Sequence, residues 1–304
     1  MTRRRFSPPP EQGKRGSPQE TCVPPSFESF TVLSQAVAVH VRQRNPKGTP
    51  AVLFLHGWLD HSHTFDWVLE HLPDAWRLVL LDFRGMGRSE HIPLGAHYSF
   101  PDYLLDVEAV LDDLQLTEVH LVGHSLGGIV STAYAAVRPE RVKSISLIES
   151  MGPSGGDSGQ APDRLRGFLD DSRRPPHRKR YASMEEAAAR LREANSSLTE
   201  AASLHLAKHG TEPFEGGYAF RFDPRHRRRF GQFWDEGQWL SLSAAVTCPV
   251  QVLHGSQGLS LDDEQARTRL AALRVSKPLT LSGGHHVHME QPEAVARALD
   301  HFIR

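Results

Sequence analysis

The sequence predicts an α/β fold in which helices cover both faces of a mostly parallel central sheet. Four short apolar runs, each with a glycine at or near its end, carry this prediction: Ala51–Gly57, Arg77–Gly85, Val119–Ser125 and Pro249–Gly255. Continuous apolar runs of this length are typical of strands that are buried on both faces. Amphipathic helical patterns lie between the runs, and such alternation indicates parallel strands joined by helical crossovers.

The helical patterns are clear at three places. Residues 100–114 carry apolar side chains at helical spacing and acidic side chains on the other face, with Ser99 placed as a cap. A helix is predicted directly after the run that ends at Ser125, and another over 292–303, where Pro292 suits a first helical position. Near the beginning, the alternation in residues 31–41 predicts a single strand.

The strand–helix alternation stops between two parts of the chain. We therefore predict an α/β core made of residues 27–151 and 246–304, with a helical cap of residues 152–245 inserted between them. Residues 1–26 hold six prolines and few large apolar side chains, so they are predicted to be a disordered tail.

Composition excludes several classes of protein. The chain has 304 residues, a formal net charge of -1 and 39% hydrophobic residues, which suits a soluble domain better than a nucleic-acid binder. No apolar run approaches the roughly 18–20 residues of a membrane span, and no secretory signal is recognisable. The two cysteines, Cys22 and Cys248, do not suggest a structural disulfide. A cytoplasmic location is the expectation.

The segment GHSLGG, residues 123–128, carries the strongest chemical signal. It contains G-x-S-x-G after a predicted strand and at the start of a predicted helix, which is the context of a nucleophile elbow. Ser125 is therefore the predicted nucleophile. The preceding βα turn, LFLHGWLDH, suggests an oxyanion hole formed by the backbone N–H groups of Trp58 and Leu126.

A serine nucleophile needs a general base, and the base needs an acid that holds its tautomer. Three histidines in SGGHHVHMEQPE compete for the first role, and spacing after the strand favours His285 over His286 and His288. Glu149 follows the apolar strand in SISLIES, at the edge where the carboxyl ends of parallel strands meet. The chain order Ser125, Glu149, His285 is that of this hydrolase geometry.

Taken together, LHGWLDHSHTFDWVLEHLP, LLDFRGMGRSE, GHSLGG and GGHHVHMEQPE resemble the α/β-hydrolase superfamily, and more finely its serine hydrolase-like, carboxylesterase-related branch. The resemblance implies an α/β-hydrolase fold and selects His285, counted back from Glu290-Gln291-Pro292. Most members carry the acid after the strand that here is VQVLHG, but Gly258 stands at that position. Some relatives carry it one strand earlier, where Glu149 stands, and Asp262 or Asp263 are the alternatives.

The resemblance implies hydrolysis of a small-molecule carboxylic ester through an acyl-enzyme. Carbon–carbon bond hydrolysis, acyl transfer, or a non-catalytic binding protein with a broken triad are the alternatives. No cofactor is expected, and no metal, because His56, His61 and His63 have no accompanying thiolates. The oligomeric state is not indicated by the sequence. Aromatic residues of the insertion are candidates for an acyl pocket: Phe168, Phe214, Tyr218 and Phe220.

Overall fold

The computed structural model describes residues 26–153, 158–231 and 234–304, and its central feature is a sheet of eight strands. Together with a separate two-stranded sheet, the strands are β1 (Glu28–Ser34), β2 (Val37–Arg44), β3 (Ala51–Leu55), β4 (Arg77–Leu81), β5 (Val119–His124), β6 (Val142–Ile148), β7 (Thr211–Phe214), β8 (Gly217–Phe220), β9 (Val250–Gly255) and β10 (Leu279–Leu281).

The large sheet has the order β1-β2-β4-β3-β5-β6-β9-β10. Strands β1 and β2 pair antiparallel, and β2 pairs antiparallel with β4, whereas all neighbours from β4 to β10 are parallel. The carboxyl ends of β3, β5, β6 and β9 therefore lie along one edge of the sheet. Loops that follow these strands meet there, as expected for a ligand crevice in an open α/β sheet.

Ten α-helices connect the strands within the described residues: α1 (Asp66–Leu69), α2 (Phe100–Asp113), α3 (Leu126–Val137), α4 (Ala161–Arg173), α5 (Met184–Ala194), α6 (Glu200–Gly210), α7 (Glu236–Ala245), α8 (Glu264–Ala272), α9 (Val287–Glu290) and α10 (Pro292–Ile303). A short 3₁₀ turn, Ser62–Phe65, precedes α1. Ser99 caps α2 in a capping box with Asp102, as its sequence predicts. None of the helices in the described parts of the chain has the length and apolar character needed to cross a bilayer.

The core lies on both faces of the sheet because neighbouring residues of a strand point to opposite sides. In β3, Leu53 and Leu55 pack in one cluster with Tyr103 of α2 and Val130 of α3. Their neighbours Val52 and Phe54 pack in a second cluster with side chains of α1 and α10. Strands buried on both faces are what the continuous apolar runs predict.

The predicted core strands and helices are present, but two expectations were wrong in detail. Residues 31–41 form a hairpin rather than one strand, since Gln35 has φ 55° and turns the chain so that Ser34 pairs with Val37. The buried apolar positions change from Phe30 and Val32 before this turn to Val37 and Val39 after it, a change of phase that the prediction of one strand overlooked. The insertion also contains the β7–β8 hairpin, besides helices. The predicted tail, apart from Ser26, lies outside the described residues.

Candidate active site

Ser125 lies in the sharp turn between β5 and α3. Its φ of 51° and ψ of −114° are unfavourable for a side-chain-bearing residue, at a cost of about 1–3 kcal/mol. The turn is held by a hydrogen bond from Ser125 N to Ile148 O at 3.0 Å. It also requires Gly127, where an added Cβ would lie 1.9 Å from the Leu55 carbonyl oxygen. The glycines of the motif thus let the helix approach the sheet and leave the serine half-buried at the turn.

His285 lies in the loop after β10 and contacts Glu149, which directly follows β6. The distance from His285 Nδ1 to Glu149 Oε2 is 3.2 Å. A carboxylate accepts, so Nδ1 carries the proton and Nε2 of a neutral ring keeps its lone pair. The imidazole side chain is 44% exposed, whereas the Glu149 side chain is fully buried. The buried Glu149 carboxylate therefore fixes the orientation of the solvent-accessible His285 ring.

The Glu149 carboxylate is held by the last residue of β9 and by the loop that follows it. Gly255 N donates to Oε1 at 2.6 Å, and Leu259 N donates to Oε2 at 2.8 Å. These donors compensate a buried carboxylate for the water that it loses. The backbone of Glu149 has φ 53°, an uncommon value for a residue with a side chain, and its N–H donates to Leu253 O at 2.9 Å.

Gly258 explains how Glu149 comes to lie where it does. An added Cβ at position 258 would lie 2.3 Å from Glu149 Oε1. The carboxylate therefore occupies the space that a side chain of residue 258 needs, and the two positions exclude each other. The two alternative acids lie in other surroundings. Asp263 caps α8 by accepting from Ala266 N at 2.7 Å, and Asp262 is exposed.

Ser125 and His285 share no hydrogen bond among the described residues, although their surroundings are connected. His124, next to Ser125, uses Nε2 to donate to the His285 carbonyl oxygen at 2.8 Å. Ile148, whose carbonyl accepts from Ser125 N, immediately precedes Glu149. The serine turn and the histidine loop thus lie on the same edge of the sheet. Hydrogen bonds of catalytic groups commonly tighten only in the complex with substrate.

The two backbone amides predicted for the oxyanion hole flank the same turn. An added Cβ on Gly57 would lie 3.4 Å from Ser125 Cβ, which places the start of the Trp58 segment against the serine. Leu126 is the first residue of α3. Within the described part of the chain, neither amide donates a hydrogen bond. Their role as an oxyanion hole stays a prediction.

The neighbouring histidines of the His285 loop have partners of their own. His286 Nδ1 lies 2.5 Å from Asn195 Nδ2, and the buried His288 Nε2 lies 2.8 Å from Thr64 Oγ1. Burial lowers the pKa of His286 to about 3, so this ring is neutral at ordinary pH. Of the three histidines, it is His285 that the structure pairs with a carboxylate.

A family model described as the alpha/beta hydrolase fold matches residues 50–292. This chain belongs to the α/β-hydrolase family. It is 31% identical over 265 residues to a serine hydrolase-like protein of Danio rerio, covering 83% of this chain and 81% of that protein. A probable serine hydrolase of Drosophila melanogaster is 26% identical, covering 97% and 93%.

Solved structures of other proteins have the same fold as this α/β hydrolase. A hypothetical protein from Pseudomonas aeruginosa PAO1 superposes with a TM-score of 0.81 at 30% identity, covering 90% of this chain and 96% of that one. A thioesterase domain from the curacin biosynthetic pathway also reaches 0.81, at 27% identity, covering 90% and 99%. The fold and the serine hydrolase-like family are thus those that the sequence motifs predict.

A cavity of about 410 Å³ borders His285 in this hydrolase. Its other walls come from the segment between α5 and α6 and from the loop after β9: Asn195, Ser196, Ser197, Gln257, Gly258 and Leu259. Ser125 is not among the lining residues. The volume is within the usual range for small-molecule sites. The aromatic residues predicted for an acyl pocket do not line this cavity; Phe220, for example, packs on Tyr181 within the insertion.

Asp60 is a buried carboxyl group near His124 and His286 that the sequence did not single out. Its Oδ1 accepts from His61 N at 2.9 Å, while Oδ2 is shielded from solvent and has no hydrogen-bond partner among the described residues. One ligand atom each of Asp60, His124 and His286 lies within 4.8 Å of the others. Burial, together with the charge of Asp82, raises the pKa of Asp60 to about 7. Its position two residues after Trp58, a predicted oxyanion-hole residue, is the feature of the sequence that could have drawn attention to Asp60.

The Asp60→Asn variant is expected to gain stability over the wild type as the pH rises. The folded-state pKa of about 7 exceeds the ordinary 3.8, so the protonated carboxyl stabilises the fold below about pH 4, and this contribution is lost as the pH rises through 7. The difference in free energy of unfolding between variant and wild type should grow by roughly 2–3 kcal/mol from pH 5 to pH 8 in urea titrations. The exposed Asp170→Asn control should show no such growth, and a pH-independent Asp60→Asn difference would contradict the expectation.

Proposed function

We propose that this protein cleaves carboxylic esters of small or medium acyl groups through an acyl-enzyme on Ser125, with His285 as the base and Glu149 as the acid that orients it. The contact that supports the proposal most directly is the hydrogen bond from His285 Nδ1 to the buried Glu149 carboxylate. A nucleophile elbow beside this pair supplies the serine.

In the first half of the reaction, Ser125 Oγ attacks the ester carbonyl carbon, and His285 Nε2 takes the hydroxyl proton. The Glu149 carboxylate stabilises the imidazolium that forms and is itself held by two backbone amides. The amides of Trp58 and Leu126 would donate to the oxyanion of the tetrahedral intermediate. His285 then passes its proton to the leaving alcohol, which yields the acyl-enzyme.

In the second half, His285 takes a proton from water, and the resulting hydroxide equivalent attacks the acyl carbon. The tetrahedral intermediate collapses, the acid leaves, and the proton returns to Ser125 Oγ. The partial exposure of His285 and its position beside the cavity of about 410 Å³ are consistent with access for water and for a small substrate.

Thioester hydrolysis is a second candidate on the same side chains. The similarity to the curacin-pathway thioesterase domain, 27% identical over 90% of this chain, favours it over carbon–carbon bond cleavage or acyl transfer. A thiolate is a better leaving group than an alkoxide and needs less protonation by His285. The two reactions therefore differ in how strongly they depend on the histidine as a general acid.

The test uses purified wild-type protein and two series of substrates. A fluorophosphonate probe should label the protein, and p-nitrophenyl esters of rising acyl length should be turned over with a maximum at short or medium chains. Alkyl esters and thioesters with the same acyl group should then be compared by kcat/KM. A higher value for the thioester would replace ester by thioester as the substrate class. A failure of the probe to label the protein would contradict the proposal as a whole.

A further inference from the structure

A second group of potential metal ligands lies apart from Ser125, Glu149 and His285, between the core and the insertion. His63 belongs to the 3₁₀ turn after β3, Asp66 begins α1, and His205 and His209 belong to α6. One ligand atom from each of these four side chains lies within 4.8 Å of the others. We call these four residues the His₃Asp cluster.

The four ligands come from two segments of the chain, the 3₁₀ turn with α1 and the helix α6. His205 and His209 are four residues apart in α6, and this spacing places both rings on one face of a helix. Pairs of histidines at this spacing are a common zinc-binding arrangement. His63 and Asp66 are three residues apart on the facing segment, and His63 Nδ1 already lies 2.7 Å from Asp66 Oδ2.

Two of the three histidine rings of the cluster face oxygen acceptors of the protein, and the third has no hydrogen bond among the described residues. His205 Nε2 lies 3.2 Å from the His63 carbonyl oxygen and 3.2 Å from Asp66 Oδ2. His209 stacks on His63 with ring centroids 3.8 Å apart and has no hydrogen bond among the described residues.

Asp66 has the outer support that metal-binding carboxylates usually have. Arg42 Nη1 donates to Oδ1 at 2.8 Å, which fixes the carboxylate and leaves Oδ2 directed to the histidines. Partners of this kind orient ligands in metal sites. Three imidazole nitrogens and one carboxylate oxygen form a donor set suited to Zn²⁺ in tetrahedral coordination, whereas Mg²⁺ and Ca²⁺ prefer oxygen alone.

We propose that the His₃Asp cluster binds one Zn²⁺ ion that fastens α6 of the insertion to the core. The His63 proton now points from Nδ1 to Asp66 Oδ2, so this ring would carry its proton on Nε2 when Nδ1 faces the ion. With metal–ligand distances of about 2.0–2.1 Å, tetrahedral ligands lie about 3.3 Å apart. Binding therefore requires side-chain rotation, and the stacked rings of His63 and His209 must tilt toward a common point. The His61 ring contacts the Leu206 carbonyl oxygen of α6 at 3.0 Å, and the ion would fix this same junction near the Trp58 loop.

The experiment measures metal binding directly and does not depend on ester hydrolysis. Protein freed of metal with a chelator is titrated with Zn²⁺ by calorimetry and with Co²⁺ by visible spectroscopy. We expect one ion per chain, the intense visible bands of tetrahedral Co²⁺, and a rise in Tm of several degrees with Zn²⁺. The His205→Ala/His209→Ala variant should bind Zn²⁺ roughly 100-fold or more weakly and lose the Co²⁺ bands.

Two controls separate this site from other histidines. His71→Ala/His301→Ala removes two exposed histidines and should bind Zn²⁺ like the wild type. His286→Ala removes a member of the group formed with Asp60 and His124 and should also retain binding. The proposal is overturned if wild type and His205→Ala/His209→Ala bind Zn²⁺ equally, or if His286→Ala abolishes binding. Should the double variant be unstable, His209→Gln alone must still weaken binding and alter the Co²⁺ spectrum.

Discussion

Substitution of Ser125 by alanine is expected to abolish fluorophosphonate labelling and to lower ester turnover by roughly 10⁴–10⁶-fold. The hydroxyl is the only group that the substitution removes, and the acyl-enzyme cannot form without it. The variant should fold normally with about the stability of the wild type, because alanine and serine are similarly strained at a φ of 51°. Labelling is read by mass spectrometry and turnover by p-nitrophenol release.

Ser241→Ala is the matched control for this substitution. Ser241 lies exposed on α7, away from the Ser125 turn, so the variant should keep full labelling and turnover. If Ser125→Ala keeps both labelling and more than about one tenth of the wild-type turnover, another residue is the nucleophile, and the proposed function is wrong.

Substitution of Glu149 by glutamine is expected to lower kcat by roughly 10³–10⁴-fold with little change in KM. The neutral amide cannot stabilise an imidazolium at His285. Its nitrogen would also face either Gly255 N–H or Leu259 N–H, which now donate to the two carboxylate oxygens. Pre-steady-state and steady-state assays with a p-nitrophenyl ester measure the loss. Asp262→Asn and Asp263→Asn are the controls, and the assignment of Glu149 fails if either of them costs more turnover than Glu149→Gln.

The steric exclusion between Glu149 and Gly258 allows a sharper form of this test. Gly258→Asp alone should destabilise the protein, because the new Cβ would lie 2.3 Å from Glu149 Oε1. In the double variant, Glu149→Gly removes the side chain that clashes, and Gly258→Asp supplies a carboxylate from the loop after β9. Glycine also accepts the φ of 53° at position 149. The turnover of the double variant should be at least about tenfold higher than that of Glu149→Gly alone. Equal turnover of the two variants would contradict this explanation of Gly258.

Much of the fold could be predicted because its signals are local. Apolar runs with nearby glycines located the core strands, and Ser99 and Pro292 marked the starts of α2 and α10. The turn at Gln35 was missed because it contains neither glycine nor proline, although the apolar alternation changes there from even positions, such as Val32, to odd positions, such as Val37. A change of phase of this kind marks a chain reversal that turn residues alone do not reveal.

The candidate site, too, was determined in part by the sequence and in part by the tertiary structure. By itself, the sequence determined the family, the strained turn that presents Ser125, and the three histidines and three acids that could complete the site. Only the tertiary structure decided that His285 meets Glu149, that the empty space at Gly258 admits this carboxylate, and that Asp60 loses its solvent. The same holds for the His₃Asp cluster, whose halves are more than a hundred residues apart. Pairing and desolvation depend on which distant side chains share one volume, and no local pattern in the chain encodes that.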